Sequence, residues 1–146
     1  MLTILLVFQI ISGVFLFSPI PEIKQAQSAG ESWLTDWSFR KQITIDETKV
    51  DENLTDFPVL VKLTSTNFDF TKALSSGYDI RFTSSDGTTL LKYERERHDQ
   101  ANSLAEYWVK IPSVSGTVNT TFYIYYGNSS AADGADPTNV WDANYK

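Results

Sequence analysis

The chain has 146 residues and a net charge of -6, enough length for one domain once a targeting segment is set aside. The acidic balance disfavours nucleic acid and anionic membrane surfaces as partners, because phosphate recognition needs clustered Lys and Arg. There is no cysteine and a single histidine, His98, which excludes disulfides, thiol catalysis, zinc–thiolate and iron–sulfur sites and any multi-histidine metal centre.

Leu2 to Ile20 is almost continuously apolar and is followed by the small residues Ala26-Gln27-Ser28-Ala29. Residues 1–29 therefore read as a secretory signal cleaved near Ser28 or Ala29, or as an uncleaved membrane anchor, since no basic residue precedes the run and it is long for a signal core. A buried core helix is the third reading of a run without a polar face. Residues 30–36 read as a linker. From Trp37 to Asp46, Phe39, Lys41, Ile43 and Ile45 alternate with Arg40, Gln42 and Thr44, which predicts a strand. Glu47 to Asp56 is polar, acidic and aperiodic, a loop. Phe57 to Thr64 is a second strand, with Val59, Val61 and Leu63 on one face and Pro58 near its start. Asn67 to Leu74 fits a short helical turn.

Two alternating runs then flank Asp86-Gly87, which predicts a hairpin across Gly77–Glu96. Tyr78, Ile80 and Phe82 share one face of the first run; Leu91 and Tyr93 share one face of the second. A two-residue turn would oppose Asp79 to Glu94 and Arg81 to Lys92. A four-residue loop, Ser84 to Gly87, opposes Asp79 to Lys92 instead and is preferred on charge, at about 0.2–1 kcal/mol per cross-strand pair. Asp79, Arg81, Lys92 and Glu94 are thus expected to act as a structural charge set that fixes register. Arg97 to Ser103 is a polar, exposed loop. Ala105 to Ile111 is a strand that Pro112 ends. Thr120 to Tyr126 is the last strand, with Phe122, Ile124 and Tyr126 opposite Thr121, Tyr123 and Tyr125. Residues 129–146 are a linker rich in Ala, Ser, Asp and Gly, and the aromatic restart Val140–Lys146 suggests the beginning of a following domain. Short strands at close spacing, without a long amphipathic helix, predict an all-β antiparallel sandwich, jelly-roll-like, over residues 37–128.

The candidate ligand-binding residues are Trp108, Tyr123 and Tyr125, which lie opposite the apolar stripes. Exposed flat rings stack sugar faces at low entropic cost; the competing reading is that a second layer or neighbouring domain covers them. Glu94 and Glu96, two apart on one strand face, have Cβ atoms about 7 Å apart, near the carboxylate spacing of glycoside hydrolases. Two such carboxylates are ordinarily a solvated face, so a polysaccharide-acting hydrolase is the alternative function and no catalytic residue is assigned. His98 is expected to be exposed, and no Gly-x-Ser-x-Gly elbow accompanies it. The acidic residues Asp46, Glu47, Asp51, Glu52 and Asp56 offer oxygens to Ca²⁺ without the EF-hand spacing; no other cofactor or metal is implied. Asn53, Asn119 and Asn128 begin glycosylation acceptor patterns, relevant only in a host that modifies secreted asparagines.

Several ordered motifs carry a family resemblance. Phe57-Pro58-Val59-Leu60-Val61, Gly77-Tyr78-Asp79-Ile80-Arg81-Phe82, Leu91-Lys92-Tyr93-Glu94, Trp108-Val109-Lys110-Ile111-Pro112 and Tyr123-Ile124-Tyr125-Tyr126-Gly127-Asn128 resemble the domain of unknown function 2341 family of bacterial and archaeal surface proteins. The resemblance spans about Trp37 to Lys146. It implies a secreted or membrane-anchored multi-domain protein, at the cell surface, in which this module precedes a laminin-G or concanavalin-like lectin domain. Some members are attached to transport proteins of the proton-channel type. Val140-Trp141-Asp142-Ala143-Asn144-Tyr145 resembles the entry to such a lectin domain, which would be the partner within the same longer protein, with glycans as further partners. No activity is assigned to the family, so the resemblance carries no catalytic residues. Glu94-Arg95-Glu96 departs from the pattern: many members have an apolar middle residue, and Arg95 falls on the face assigned to the core.

Overall fold

The computed structural model describes residues 32–141, together with the backbone of Val14–Phe15 and Ile23–Lys24. The signal or anchor expected over residues 1–29 and the restart beyond Trp141 fall outside the described residues, those two short pairings aside. Among the described residues, no helix is long and apolar enough to cross a membrane.

Six strands form where the alternation predicts half-buried β structure. They are β1 (Phe39–Ile45), β2 (Leu54–Thr64), β3 (Arg81–Ser84), β4 (Tyr93–Asp99), β5 (Leu104–Val114) and β6 (Thr120–Tyr126). One antiparallel sheet has the order β2-β5-β4, the other β1-β6-β3. Each is extended at one edge by a two-residue pairing, Val14–Phe15 beside Leu60–Val61 and Ile23–Lys24 beside Phe39–Arg40. The expected antiparallel sandwich is borne out.

Its core is the inner face of each sheet. Val59, Val61 and Leu63 of β2 and Tyr107, Val109 and Ile111 of β5 meet Ile43, Ile45, Phe82, Phe122, Ile124 and Tyr126 from the other sheet. Alternation puts these residues on one side of each strand. Phe68 and Phe70 enter from the expected helical turn, a 3-10 turn over Phe70–Lys72 whose cap, Asp69, accepts from Thr71 N at 3.1 Å.

The central segment departs from expectation. β3 and β4 are not partners in one hairpin; they belong to opposite sheets. The turn Ser84–Gly87 does form, with Gly87 in the left-handed region (φ 78) and Asp86 Oδ1 accepting from Thr88 N and Thr89 N at 2.8 Å each. The flanking chain then shares a single bridge, Thr83 with Leu90, before it diverges. That bridge has the register of the two-residue Asp86-Gly87 turn, not the expected one that opposes Asp79 to Lys92. The physical reason is the core. Partners in a hairpin share a face, whereas here Phe82 and Tyr93 face one another across the sandwich, with ring centroids 5.3 Å apart. Burying two aromatics from opposite sheets outweighs a surface charge pair. The like-charge conflict never arises, because the strands have parted.

Two further corrections concern β4 and β5. The expected loop at 97–103 is strand as far as Asp99, because of a bulge at Glu96. Arg95 pairs with Tyr107, but Arg97 pairs with Glu106. Arg95, before the bulge, keeps the inward phase of Tyr93; the extra residue reverses the phase beyond it, so that His98 sits opposite core-facing Ala105 while Arg97 faces out. Pro112 does not end β5, which continues to Val114. Lys110 N donates to Lys92 O at 2.9 Å. Pro112 turns its nitrogen to the same side, beyond the reach of β4, so its missing N–H costs no ladder bond.

Phe82 has no exposed surface and touches Tyr93, Tyr107 and Phe122. Phe82→Ala is expected to lower stability by about 3–5 kcal/mol, read as a fall in the urea midpoint at unchanged slope.

Candidate functional site

The aromatic residues singled out in the sequence do not form one platform. Tyr123 and Tyr125 project outward from β6, and Trp108 projects outward from β5, so they lie on opposite outer faces of the sandwich. A ligand-binding surface that joins all three is therefore ruled out. Alternation identified their faces correctly but carries no information on which sheet each strand joins.

Each set has its own covering. Tyr125 is fully buried beneath Trp33, whose ring stands edge-on at 5.6 Å. The Tyr125 hydroxyl donates to Gly87 O at 2.8 Å and accepts from Arg40 at 3.2 Å. The Arg40 guanidinium lies between Trp33 (4.3 Å) and Tyr123 (4.4 Å) and donates to Ser32 O at 2.8 Å. Delocalised charge held between two rings tolerates the burial that a bare cation would resist. Residues 32–36, expected to be part of a linker, are thus a packed flap over this face. On the opposite face Trp108 meets Trp141 at 5.1 Å and 60°, and the Trp141 indole N–H donates to Glu94.

The four charges expected to pair across a hairpin hold loops instead. Asp79 is 1% exposed and accepts from Leu74 N (3.0 Å) and Gly127 N (2.8 Å), which joins the end of β6 to the loop before β3. Arg81 donates to the carbonyls of Tyr78, Ile80 and Ala132, at 2.7–2.8 Å. Lys92 pairs with Asp136 at 2.8 Å. Glu94 takes Trp141. Arg95, the departure from the family pattern, reaches the rim of the core, where Asp133 holds it through two bonds of 2.7 and 2.6 Å.

These partners place residues 129–141 on the sandwich as a strap rather than as a free linker. Asp136 N donates to Tyr93 O at 2.8 Å, and Val140 is fully buried. Gly134 lies against Arg81 so closely that a Cβ there would fall 2.3 Å from the guanidinium carbon. Ala-, Ser- and Gly-rich composition hid the strap. The available signal was the spacing of Asp133 and Asp136 against Arg95 and Lys92.

The remaining candidates lie apart from one another. Glu94 is half-buried beside Trp108, whereas Glu96 is the exposed bulge residue, so the two do not face one cleft as a carboxylate pair. His98, expected to be exposed, is half-buried against Phe70, with Nδ1 2.7 Å from the Tyr107 hydroxyl. Its Nε2 is buried without a partner among the described residues. Gly77 (φ 68) makes room for this pair, since a Cβ there would lie 2.7 Å from His98 Cγ. Burial holds the His98 pKa below its ordinary value, against the pull of Asp79, and burial likewise raises the Tyr107 hydroxyl. Among the described residues, no three His, Asp or Glu side chains come together as a cation site. Asp46 of the acidic loop accepts from the Thr48 hydroxyl at 2.7 Å and from Thr48 N at 2.9 Å, and these bonds, the first above all, lower its pKa. Asn53, Asn119 and Asn128 all lie in loops, and each accepts a backbone N–H, from Gly116, Glu47 and Ser130 respectively.

The geometry defines an antiparallel β-sandwich module with a packed flap on one outer face and a packed strap on the other. Residues 76–144 match the family model described as Domain of unknown function (DUF2341), the family that the motifs resemble. The match takes in β3 to β6 and the strap. β1 and β2 precede it, yet they supply the ladders that β6 and β5 require. No curated protein and no solved structure matches the chain.

A histidine held neutral by burial binds protons more readily when the chain unfolds. Stability is therefore expected to be flat above about pH 6.5, the ordinary value, and to fall as pH drops below it. Urea midpoints from pH 7.5 to 5.0 should show that slope, and His98→Gln should remove most of it, since the chain has no second histidine.

Proposed function

We propose that this chain is a non-catalytic extracellular module of a larger cell-surface or secreted protein, which contacts carbohydrate and presents an adjacent lectin-like domain. The observation that carries this reading is the strap. The chain leaves β6 at one sheet, crosses Arg81, and is tied to β4 of the other sheet by Arg95–Asp133, Lys92–Asp136 and the Asp136–Tyr93 backbone bond. A spacer needs no such attachment; a module that orients its C-terminal neighbour does. The family resemblance supplies the lectin-like neighbour, and the apolar leader supplies the extracellular setting. The absence of catalysis is supported by the work that the chemistry-bearing side chains already do. Glu94 is bonded to Trp141, Glu96 stands apart on a bulge, and His98 is packed against Tyr107.

Asp133 is held near pKa 2 chiefly by its bonds to Arg95. The latch is therefore charged throughout the neutral and mildly acidic range and weakens only as pH falls below about 4. Hydrogen exchange tests the presenting role. The amides of Asp136 and Val140 are expected to be protected in the intact chain, and Arg95→Ala should speed their exchange at least tenfold, about 1.4 kcal/mol, while β5 and β6 stay protected. Rapid exchange across 132–141 in the unaltered protein would mean a loose exit, and the presenting role would fall.

A further inference from the structure

The outer face of β4 and β5 carries a groove that neither the core nor the strap fills. Its rows follow from register. Glu94 lies beside Trp108, and one row along, about 7 Å away, Lys92 lies beside Lys110. Strap residues close one side: Trp141 stands over Trp108, and Asn139 stands near Lys92. Beside that row the face hollows into an open depression of about 490 Å³, walled by Leu90 and Leu91 as well as Asp56, Lys110, Pro112 and Asn139; Trp108, Trp141 and Glu94 lie one row along, outside its lining. That volume is in the range of small-molecule and oligomer subsites.

Three features point to a ligand. First, polar groups are left over. The second Glu94 carboxylate oxygen, the Trp108 indole N–H, the Lys110 ammonium and the Asp56 carboxylate take no side-chain partner among the described residues. Second, Asp56 holds a left-handed backbone (φ 51) between the Thr55–Ser113 and Phe57–Ile111 pairs of an otherwise regular ladder. Such a conformation costs about 1–3 kcal/mol and is concentrated at binding sites. Third, Trp108 and Trp141 are half-buried rather than sealed into the core.

We infer that this groove binds a single chain of a neutral polysaccharide. The claim rests on the carbohydrate-contacting part of the proposed function and gives it a site and a ligand class. Trp108 and Trp141 stack the apolar faces of hexopyranose rings. Glu94 and Asp56 accept from ring hydroxyls, and Lys110 and the indole N–H donate to them. Free acceptors and free donors alternate along the groove, which suits hydroxyls that both give and receive. A uronate or sulfated chain would bring its charge against Glu94 and Asp56, with Lys110 the one uncommitted cation there among the described residues, because Lys92 is held by Asp136. The 60° angle between the indoles matters too. A crystalline polysaccharide face needs coplanar rings, whereas an angled pair follows one twisted chain.

The 146-residue chain can be tested by affinity electrophoresis in native gels that contain galactomannan, arabinoxylan, xyloglucan or polygalacturonate. Trp108→Ala, Lys110→Ala and Tyr123→Ala are run alongside, each with its thermal transition as a check of folding. Retardation is expected in at least one neutral polysaccharide. Trp108→Ala should weaken the apparent affinity about tenfold and Lys110→Ala several-fold, with Tyr123→Ala, on the opposite face, unchanged. Should Trp108→Ala fail to fold, Lys110→Ala decides the site by itself. Retardation by polygalacturonate alone overturns the ligand class. Retardation that survives Lys110→Ala and Trp108→Ala, or that is lost in Tyr123→Ala, overturns the groove and leaves carbohydrate contact standing. A folded chain that runs unretarded in every gel overturns the groove and the carbohydrate contact together, while amide protection in the strap still decides the presenting role.

Discussion

The contact between Phe82 and Tyr93 across the core is the constraint on which the rest of the structure depends. The two residues are eleven positions apart in the chain and stand on opposite sheets, 5.3 Å between ring centres. Meeting there forces the chain to cross the sandwich between Ser84 and Tyr93, and the crossing splits what would be a hairpin. It also makes β3 and β4 edge strands of different sheets, on the same side of the molecule. An edge strand presents unpaired backbone groups and must be covered. The strap covers it: Asp136 bonds to the Tyr93 carbonyl, and Ala132 takes Arg81. The attachment of the C-terminal segment thus follows from an aromatic contact in the core.

The bulge at Glu96 is the second determinant, and it works through phase. Arg95 already faces inward by alternation from Tyr93, and the extra residue turns His98 inward after it. Arg95 then needs a counter-charge at the rim, which Asp133 supplies. His98 needs room, which Gly77 supplies by having no Cβ, and a polar partner, which Tyr107 supplies. A glycine and a histidine that look unrelated in the sequence belong to one rearrangement at the edge of a sheet, beside the ion pair of Arg95.

Much of this was legible in the sequence, and the failures share a cause. The period-two alternation of Val59, Val61 and Leu63, of Ala105, Tyr107, Val109 and Ile111, and of Phe122, Ile124 and Tyr126 located the core faces correctly, because alternation reports burial directly. Which strand pairs with which is a long-range property. Nothing local to Gly77–Glu96 distinguishes a hairpin from a crossing, since both need the same turn and the same apolar faces. The outward positions of Trp108, Tyr123 and Tyr125 were likewise read correctly, but alternation could not tell that they lie on two different outer faces. The bulge escaped because a single inserted residue in a run of charges, Glu94 to Arg97, leaves no trace in a hydrophobic pattern. The strap escaped because Asp, Ala, Ser and Gly are the residues of linkers, and only their partners elsewhere in the chain reveal that they are bound. For the same reason, the groove beside Trp108 was visible only as a lone aromatic.

The strap has a mechanical consequence. Tension that arrives through Trp141 does not load a β-ladder first. It meets two ion pairs, one indole bond to Glu94, one backbone bond at Tyr93 and the bond from Arg81 to the Ala132 carbonyl. These lie in series, so they can open one after another, like a zip pulled from its end. Once they are released, residues 128–141 extend by about 45 Å of chain, at about 3.3 Å per residue, before the pull reaches β6. β6 is the central strand of its sheet, paired along its length with β1 and also with β3. Such a linkage yields early and reversibly at its strap and late at its core, as a shock absorber does.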